Sequence, residues 1–238
     1  MQDFSFLVTE NDAVATIDLN RPEEGNALTR PMMVDLALSI RRLAQAEATK
    51  LLVIKARGTA FCRGRDGRGE TPFASPYERR TKGLGAILDV YAAIQASPVP
   101  VIALVQGPAI GFGAALAGAC DITLASDEAS FAFPEILHDI APTLAMSAVL
   151  RNVPAKALTY LIYSADTVSA AEAVGFGLAS KVFAEAEFEA SAEAFIAKLA
   201  IRPRVVLETV KKFQFHATHA GPALASEYAG ALMTVVRS

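Results

Sequence analysis

The segment Val101-Ile-Ala-Leu-Val-Gln-Gly-Pro-Ala-Ile-Gly-Phe-Gly113 decides the fold of this 238-residue chain. Its first five residues are apolar, which is the pattern of a buried strand, and the glycine-rich turn after them leads into small residues typical of a close-packed helix. Such a turn, at the carboxyl end of a strand, offers backbone amides where open α/β sheets bind ligands. The segment therefore predicts an α/β protein with a site at this turn.

The turn lies inside an uncharged run, Val90 to Cys120, that is long enough to span a membrane. Proline and glycine residues interrupt this run, and its longest unbroken apolar stretch, Val101 to Val105, has the length of a strand. The N-terminal residues lack the basic and then apolar pattern of a signal peptide. We therefore expect a soluble, cytoplasmic protein that does not bind a membrane.

The composition excludes several other classes of protein. With 53% hydrophobic and 20% charged residues, the chain is not disordered, and a net charge of −3 predicts no general affinity for nucleic acid. The arginine-rich loop from Arg63 to Arg68 contains Asp66 and is followed by Glu70, so its charge is too modest to predict RNA binding. Two cysteines and three histidines predict neither a disulfide framework nor a zinc site.

Strands and helices alternate in the first half of the chain. Alternating apolar residues predict a hairpin of strands Phe4–Val8 and Val14–Leu19, and Thr29 caps a helix whose apolar residues recur at spacings of three and four. A buried strand at Leu51–Ile54 and a helix at Leu84–Ala96 follow. Helices predominate after about residue 135, which indicates an α/β domain with a helical C-terminal extension.

A second strand-end loop, Phe61-Cys-Arg-Gly-Arg-Asp66, follows the strand at Leu51–Ile54. Two such loops that offer amide N–H groups are suited to an oxyanion hole, which would stabilise an enolate or an alkoxide. Glycine-rich turns also serve ordinary packing in α/β proteins, so either loop alone is weak evidence. The pattern Gly111-Phe-Gly113 lacks the third glycine of a dinucleotide fingerprint.

The third chemical element is Glu135, in the segment Phe131-Ala-Phe-Pro-Glu135. Apolar neighbours that withdraw a carboxylate from water raise its pKa, which suits a general base near neutral pH. The alternative interpretation is an ordinary exposed glutamate after a proline that begins a helix.

These elements, together with Asn20-Arg-Pro and Asn26-Ala-Leu28, resemble the enoyl-CoA hydratase/isomerase (crotonase) family over nearly the whole chain. Cys120-Asp-Ile122 and Ala171-Glu-Ala-x-x-x-Gly177-Leu fall in the same register. The resemblance implies a crotonase-like ββα spiral core over residues 1–180 that binds acyl-CoA. It also implies a helical trimerisation region over residues 181–238 and assembly as a homotrimer or a dimer of trimers.

The resemblance further implies an acyl-CoA thioester substrate, no metal, and no cofactor apart from the coenzyme A of the substrate. By position, the backbone amides of Arg65 and Phe112 would hold the thioester oxygen. The residues that would contact the substrate or its CoA portion are Arg21, Arg63, Gly64, Asp66, Gly111 and Lys211, with Lys212 as an alternative to Lys211.

The chain departs from the hydratases of this family, which carry two glutamates, because Ala115 stands at the position of the first. A shift of a proton between two carbons needs one base, whereas hydration needs a positioned water as well. The resemblance therefore favours a Δ3–Δ2 enoyl-CoA isomerase-like reaction with Glu135 as acid and base. The alternatives are a hydratase in which Asp139 or His138 supplies the second acid, and a non-catalytic protein that still binds acyl-CoA.

Overall fold

The computed structural model describes residues 6–70, 72–218 and 220–237. Its strands are β1 (Phe6–Asn11), β2 (Val14–Leu19), β3 (Leu51–Ala56), β4 (Val101–Val105), β5 (Ala109–Ile110), β6 (Ile122–Ser126), β7 (Ser130–Ala132), β8 (Val168–Ser169) and β9 (Lys181–Phe183). The main sheet has the order β1-β2-β3-β4-β6-β9, in which β1 is antiparallel to β2 and the other neighbours are parallel.

Helices cover both faces of this sheet. They are α1 (Arg30–Gln45), α2 (Pro76–Glu78), α3 (Gly85–Ala96), α4 (Phe112–Ala119), α5 (Thr143–Val149), α6 (Ala155–Ser164), α7 (Ala170–Gly175), α8 (Glu185–Ala200), α9 (Arg204–Ala217) and α10 (Pro222–Arg237). A π-helical stretch, Arg79–Leu84, joins α2 to α3, and 3-10 turns form at Pro22–Glu24 and Pro134–His138.

The two faces of the sheet bury different helices. On one face, α1, α3 and α4 contribute to a large apolar core, and every residue of α4 is buried. On the other face, Phe188, Ala192 and Leu207 from α8 and α9 cover β3, β4 and β6. The small residues of α4 allow the chain to pass close to the sheet, so the uncharged run of the sequence forms a buried strand and a buried helix.

Most of the elements predicted from the sequence are confirmed. The predicted hairpin is formed by β1 and β2, although Phe4 and Ser5 lie outside the described residues. Thr29 is the N-cap of α1. The domain boundary at residue 180 stays a prediction; β9, immediately after it, pairs with β6 of the core sheet. The short strands β5, β7 and β8 were not predicted.

The strands β5, β7 and β8 form a second, small sheet that positions the glycine-rich turn. β5 pairs in parallel with β7, through Ala109 with Phe131 and Ile110 with Ala132, and β7 pairs with β8. The chain therefore enters the turn at Gly111 next to the end of β7, from which the segment carrying Glu135 begins.

Two structural features are absent from the described part of the chain. No helix there is long and apolar enough to cross a membrane. No group of three or more histidine, cysteine, aspartate or glutamate residues there is arranged to bind a metal ion.

Candidate active site

The two loops predicted at strand ends pack directly against each other. A Cβ atom on Gly107 would overlap the carbonyl oxygen of Thr59, and one on Gly113 would overlap that of Cys62. Cys62 also forms a parallel bridge with Ala109, in which the Ile110 amide donates to the Cys62 carbonyl at 2.9 Å. Gly107 and Gly113 are thus required for packing between the loops.

This packing brings the Arg65 and Phe112 amides to the same turn. Leu28 forms an isolated parallel bridge with Arg65, in which the Leu28 amide donates to the Gly64 carbonyl and the Asp66 amide donates to the Leu28 carbonyl. The Arg65 amide therefore points away from that pairing. Phe112 is the first residue of α4, where amides have no partner within the helix. Neither amide donates to an acceptor within the described residues.

Gly64 and Gly111 directly precede the two residues that carry these amides. Both have positive φ, +107° and +55°, a region that favours glycine. A Cβ atom on Gly64 would lie 3.0 Å from the Ile110 carbonyl oxygen and 3.8 Å from the Phe112 amide nitrogen. The predicted candidates Gly64, Arg65, Gly111 and Phe112 therefore lie together.

Glu135 lies over this turn. The Gly111 amide donates to the Ala132 carbonyl at 2.8 Å, which ties the end of β7 to the turn, and a Cβ on Gly111 would lie 3.0 Å from Glu135 Oε1. The second oxygen, Oε2, is buried and has no hydrogen-bond partner within the described residues. Burial raises the pKa of the Glu135 carboxyl above its usual range. A carboxyl in this state is suited to accept a proton from a bound molecule.

Tyr91 is a further residue of this site, and the sequence patterns did not single it out. It lies on α3 with 3% of its surface exposed, and its ring stacks on that of Phe112 with centroids 5.8 Å apart. Burial raises the pKa of its phenol, and the negative charge of Glu135 raises it further. Because Tyr91 lies in an apolar helix that packs on the core, periodicity gave no reason to separate it from ordinary core residues.

The other acidic candidates are placed differently. His138 and Asp139 are exposed, and Asp139 ends the 3-10 turn with a φ of +56°. The Asp139 amide donates to the Ile136 carbonyl, so its backbone shapes the turn that holds Glu135. Ala115 is fully buried on α4. A catalytic role for Asp139 stays a prediction.

Asp66 is a buried anchor of the first loop. Its carboxylate accepts hydrogen bonds from the Arg68 guanidinium at 2.8 and 2.9 Å and lies 3.5 Å from the Arg21 guanidinium. These arginines hold the pKa of the Asp66 carboxyl well below its usual range, with the Arg68 hydrogen bond as the main cause. Asp66 and Arg21 thus fix the loop that presents the Arg65 amide.

Asn26 joins the N-terminal loop to the same region. It is fully buried, and its side-chain amide donates to the carbonyl oxygens of Arg57 and Ala60, each at 2.8 Å, while accepting from the Arg21 amide. The sequence motif Asn26-Ala-Leu28 pointed to this residue without giving its role. The structure shows that Asn26 cross-links two loops of the site.

A groove of about 620 Å³ lies between residues 22–27 and 59–68, and Arg65 is among the residues that line it. Arg65 pairs with Glu70, and Arg68 pairs with Asp66. Arg63 is exposed, packs its stem over Gly25, and forms no ion pair with a described residue. Within the described groove, Arg63 is therefore the cation best able to bind a negatively charged ligand.

Lys211, which was predicted to bind CoA, does not lie with the other candidate residues. It is 7% exposed, and its ammonium donates to the Ile94 and Val99 carbonyl oxygens at 2.9 and 3.2 Å and to Asp121 at 2.7 Å. An ammonium has three donors, and these contacts use them all. We therefore leave Lys211 out of the proposed CoA site.

The chain is similar to known proteins over most of its length. The family model for enoyl-CoA hydratase/isomerase matches residues 9–234. The Mycobacterium tuberculosis protein named "Probable enoyl-CoA hydratase echA6" is 33% identical over 201 residues, which cover 82% of this chain and 78% of that protein. The rat protein "Enoyl-CoA hydratase domain-containing protein 3, mitochondrial" is 32% identical over 198 residues, covering 83% and 66%.

Two solved structures are also similar to this chain in both fold and sequence. An enoyl-CoA hydratase structure from Mycobacterium smegmatis superimposes with a TM-score of 0.90 at 31% identity, covering 97% of this chain and 90% of that one. The human enoyl-CoA hydratase domain-containing protein 3 has a TM-score of 0.89 at 28% identity, covering 97% and 90%. These matches confirm the predicted crotonase fold, and the chain belongs to the enoyl-CoA hydratase/isomerase family.

Proposed function

We propose that this enzyme transfers a proton at the α-carbon of an acyl-CoA thioester, with Glu135 as acid and base. The observation that carries the proposal is the buried, unpartnered Oε2 of Glu135 above a turn whose Phe112 amide has no acceptor within the described residues. In this scheme the thioester oxygen accepts hydrogen bonds from the Arg65 and Phe112 amides. Two fixed donors aimed at that oxygen stabilise the enolate more than the ground-state thioester.

The reaction we favour is a Δ3–Δ2 enoyl shift. Glu135 takes a proton from the α-carbon of a 3-enoyl thioester, and the electron pair moves onto the thioester oxygen. Protonated Glu135 then returns the proton to the γ-carbon as the thioester carbonyl forms again, which leaves a 2-enoyl thioester. Ala115 supports this choice, because it leaves Glu135 without a second carboxylate on α4. Hydration needs a positioned and deprotonated water as well as a proton delivered to the α-carbon, whereas the shift needs one base.

We propose that the groove beside Arg63 holds the nucleotide portion of coenzyme A. Arg63 supplies an exposed guanidinium, which suits phosphate oxygens, and Arg65 lines the same groove. The neighbouring arginines, Arg21 and Arg68, are already paired with carboxylates and serve to position the loop.

We also propose that the chain assembles as a homotrimer or a dimer of trimers. Support comes from exposed apolar side chains on the last helices, among them Val210, Leu224 and Met233, which water would otherwise contact. Sedimentation equilibrium measures the assembly directly, and a monomer at micromolar concentration would contradict the proposal. Location in the cytoplasm stays a prediction.

Glu135→Gln tests the central proposal. The assay is exchange of the α-protons of butyryl-CoA into deuterium oxide, followed by NMR, together with turnover of 2-enoyl-CoA and 3-enoyl-CoA substrates. We expect the rates of exchange and turnover to fall by about 10²–10⁴-fold, which is typical for removal of a general base. The matched control is Glu128→Gln, an exposed glutamate on the loop before β7.

Calorimetry with crotonyl-CoA separates the enzyme from a protein that only binds acyl-CoA. Binding retained by Glu135→Gln with activity lost supports the proposal. Full activity in Glu135→Gln, or binding by the wild type with no exchange or turnover of any tested thioester, contradicts it.

A further inference from the structure

The side chain of Phe112 lies beside the space into which its own amide points. Phe112 is the first residue of α4. Side chains of a helix lean toward its N-terminus, and the amides of the first turn point in the same direction. A ligand oxygen that accepts a hydrogen bond from the Phe112 amide is therefore flanked by the Phe112 ring.

A second ring holds the Phe112 ring in place. Tyr91 on α3 stacks on it, with centroids 5.8 Å apart and an angle of 22° between the ring planes. Phe112 and Tyr91 are only 5% and 3% exposed, so both rings are packed inside the protein. Because protein interiors are close-packed, one ring cannot turn aside unless the other moves as well. The Phe112 ring is therefore a fixed wall beside the turn.

The proposed site sets the direction of the acyl chain. The CoA portion of the thioester leaves through the groove that Arg63 and Arg65 line. The α-carbon meets Glu135, whose Oε1 would lie 3.0 Å from a Cβ atom on Gly111, the residue before Phe112. The acyl chain beyond the α-carbon therefore extends on the side of the glycine-rich turn, where the Phe112 ring lies.

The neighbours of Phe112 in the chain have small side chains. Gly111 and Gly113 lack a Cβ atom, and Ala114 and Ala115 each carry one methyl group. Phe112 is thus the one large side chain between residues 111 and 115. Any restriction on the size of the acyl group that this part of the chain imposes comes from the Phe112 ring.

We propose that the Phe112 ring, backed by Tyr91, limits the substrates to thioesters of short acyl chains. A longer chain would have to displace two buried rings or turn back into water, and either arrangement loses the gain from burying its additional methylene groups. The inference rests on the proposed function, because it takes the Phe112 amide as a donor to the thioester oxygen. It adds the substrate class, which is short-chain acyl-CoA.

The wild type gives the first test. The measurement is kcat/KM for α-proton exchange in deuterium oxide, with butyryl-CoA and octanoyl-CoA as the two substrates. Both thioesters carry the same CoA portion and the same reacting carbon, so their ratio reports only the space for the acyl chain. We expect the wild type to favour butyryl-CoA by about tenfold or more, the size of effect typical when a pocket excludes methylene groups.

Substitutions of the two rings give the second test. Phe112→Leu and Phe112→Ala remove the ring and keep the backbone amide, and each should raise the octanoyl-to-butyryl ratio of kcat/KM by about tenfold. Tyr91→Leu removes the backing ring, so the ratio should rise in the same direction by a smaller factor. Tyr163→Leu, at a tyrosine that is 75% exposed, is the control and leaves the ratio at its wild-type value.

Exchange of butyryl-CoA shows that a variant is folded, and Phe112→Leu fills more of the space of the ring than Phe112→Ala does. A wild type that exchanges octanoyl-CoA as fast as butyryl-CoA overturns the role of Phe112 and leaves the proposed function standing. The same conclusion follows if the ratio stays at its wild-type value in folded Phe112→Leu. Absence of exchange with both thioesters in the wild type overturns the proposed function, and the role of Phe112 with it.

Discussion

The backbone of Gly113 lies directly against the carbonyl oxygen of Cys62, with no room for a Cβ atom between them. This contact joins the loop that carries the Arg65 amide to the turn that carries the Phe112 amide. The geometry of the proposed oxyanion hole therefore depends on a glycine that need not touch the substrate.

Gly113→Ala should separate the two loops. The added methyl group overlaps backbone atoms, which cannot rotate away, so we expect a loss of about 1–3 kcal/mol of unfolding free energy and a larger fractional loss of α-proton exchange. Urea unfolding and the exchange assay measure the two effects. Gly175→Ala is the control, because a Cβ there meets nothing within 4 Å. Wild-type stability and exchange in Gly113→Ala would refute the packing argument.

The sequence predicted the main elements because their patterns are local. The alternation in β2 and the apolar spacing of α1 follow from which face each element buries. The bounds of β2 and the start of α1 were predicted as observed. The turn at Gly111 was predicted as a site for the same reason, since a strand followed by glycines and a helix is visible within a dozen residues.

The sequence could not assign roles that depend on distant contacts. Gly107 and Gly113 look the same in sequence as Gly111, yet a Cβ atom on either of the first two would overlap a carbonyl oxygen of the other loop. A Cβ atom on Gly111 would instead meet the Glu135 carboxylate. Tyr91 has the spacing of a core residue, and only the approach of α3 to α4 brings it to Phe112.

Lys211 illustrates the same limit, and its contacts lead to a stability prediction. Lys211→Met removes the cation that neutralises Asp121 and leaves the Ile94 and Val99 carbonyl oxygens without their donor. We expect a loss of about 2–4 kcal/mol of unfolding free energy, measured by urea titration. The KM for acyl-CoA should be unchanged at temperatures where the variant is folded.

The neighbouring Lys212 is the matched control, because it is exposed. Lys212→Met should change the unfolding free energy by less than about 0.5 kcal/mol. A Lys211→Met variant with wild-type stability and weakened CoA binding would restore Lys211 to the CoA site.

Arg63→Gln should weaken binding of CoA thioesters by about tenfold, with a larger effect at low ionic strength. The physical reason is the loss of a guanidinium that has no carboxylate partner within the described groove. An acyl-pantetheine thioester lacks the nucleotide, so its affinity should be the same for the wild type and Arg63→Gln. Calorimetry measures both ligands. Arg202→Gln, at an exposed arginine after α8, is the control. Equal weakening for both ligands would mean that Arg63 contacts a part of the ligand other than the nucleotide.

The raised pKa of Glu135 predicts how activity depends on pH. A general base must be ionised, so α-proton exchange should rise with pH through a midpoint above 4.5, the ordinary value for this carboxyl. Tyr91 and Cys62 are neutral over this range, because burial raises the pKa of both, so the acidic limb reports Glu135. A midpoint at or below 4.5 would contradict the buried environment.

The same shift has a consequence for stability, with a definite sign. The folded protein binds the Glu135 proton more tightly than the unfolded chain, so the stability from this group is complete below pH 4.5 and is lost as pH rises through the raised pKa. Glutamine carries no such charge. The unfolding free energy of Glu135→Gln relative to wild type should therefore increase between pH 4 and pH 7, as urea titrations at the two pH values would measure. A difference that is independent of pH would mean that Glu135 is as well solvated in the folded protein as in the unfolded chain.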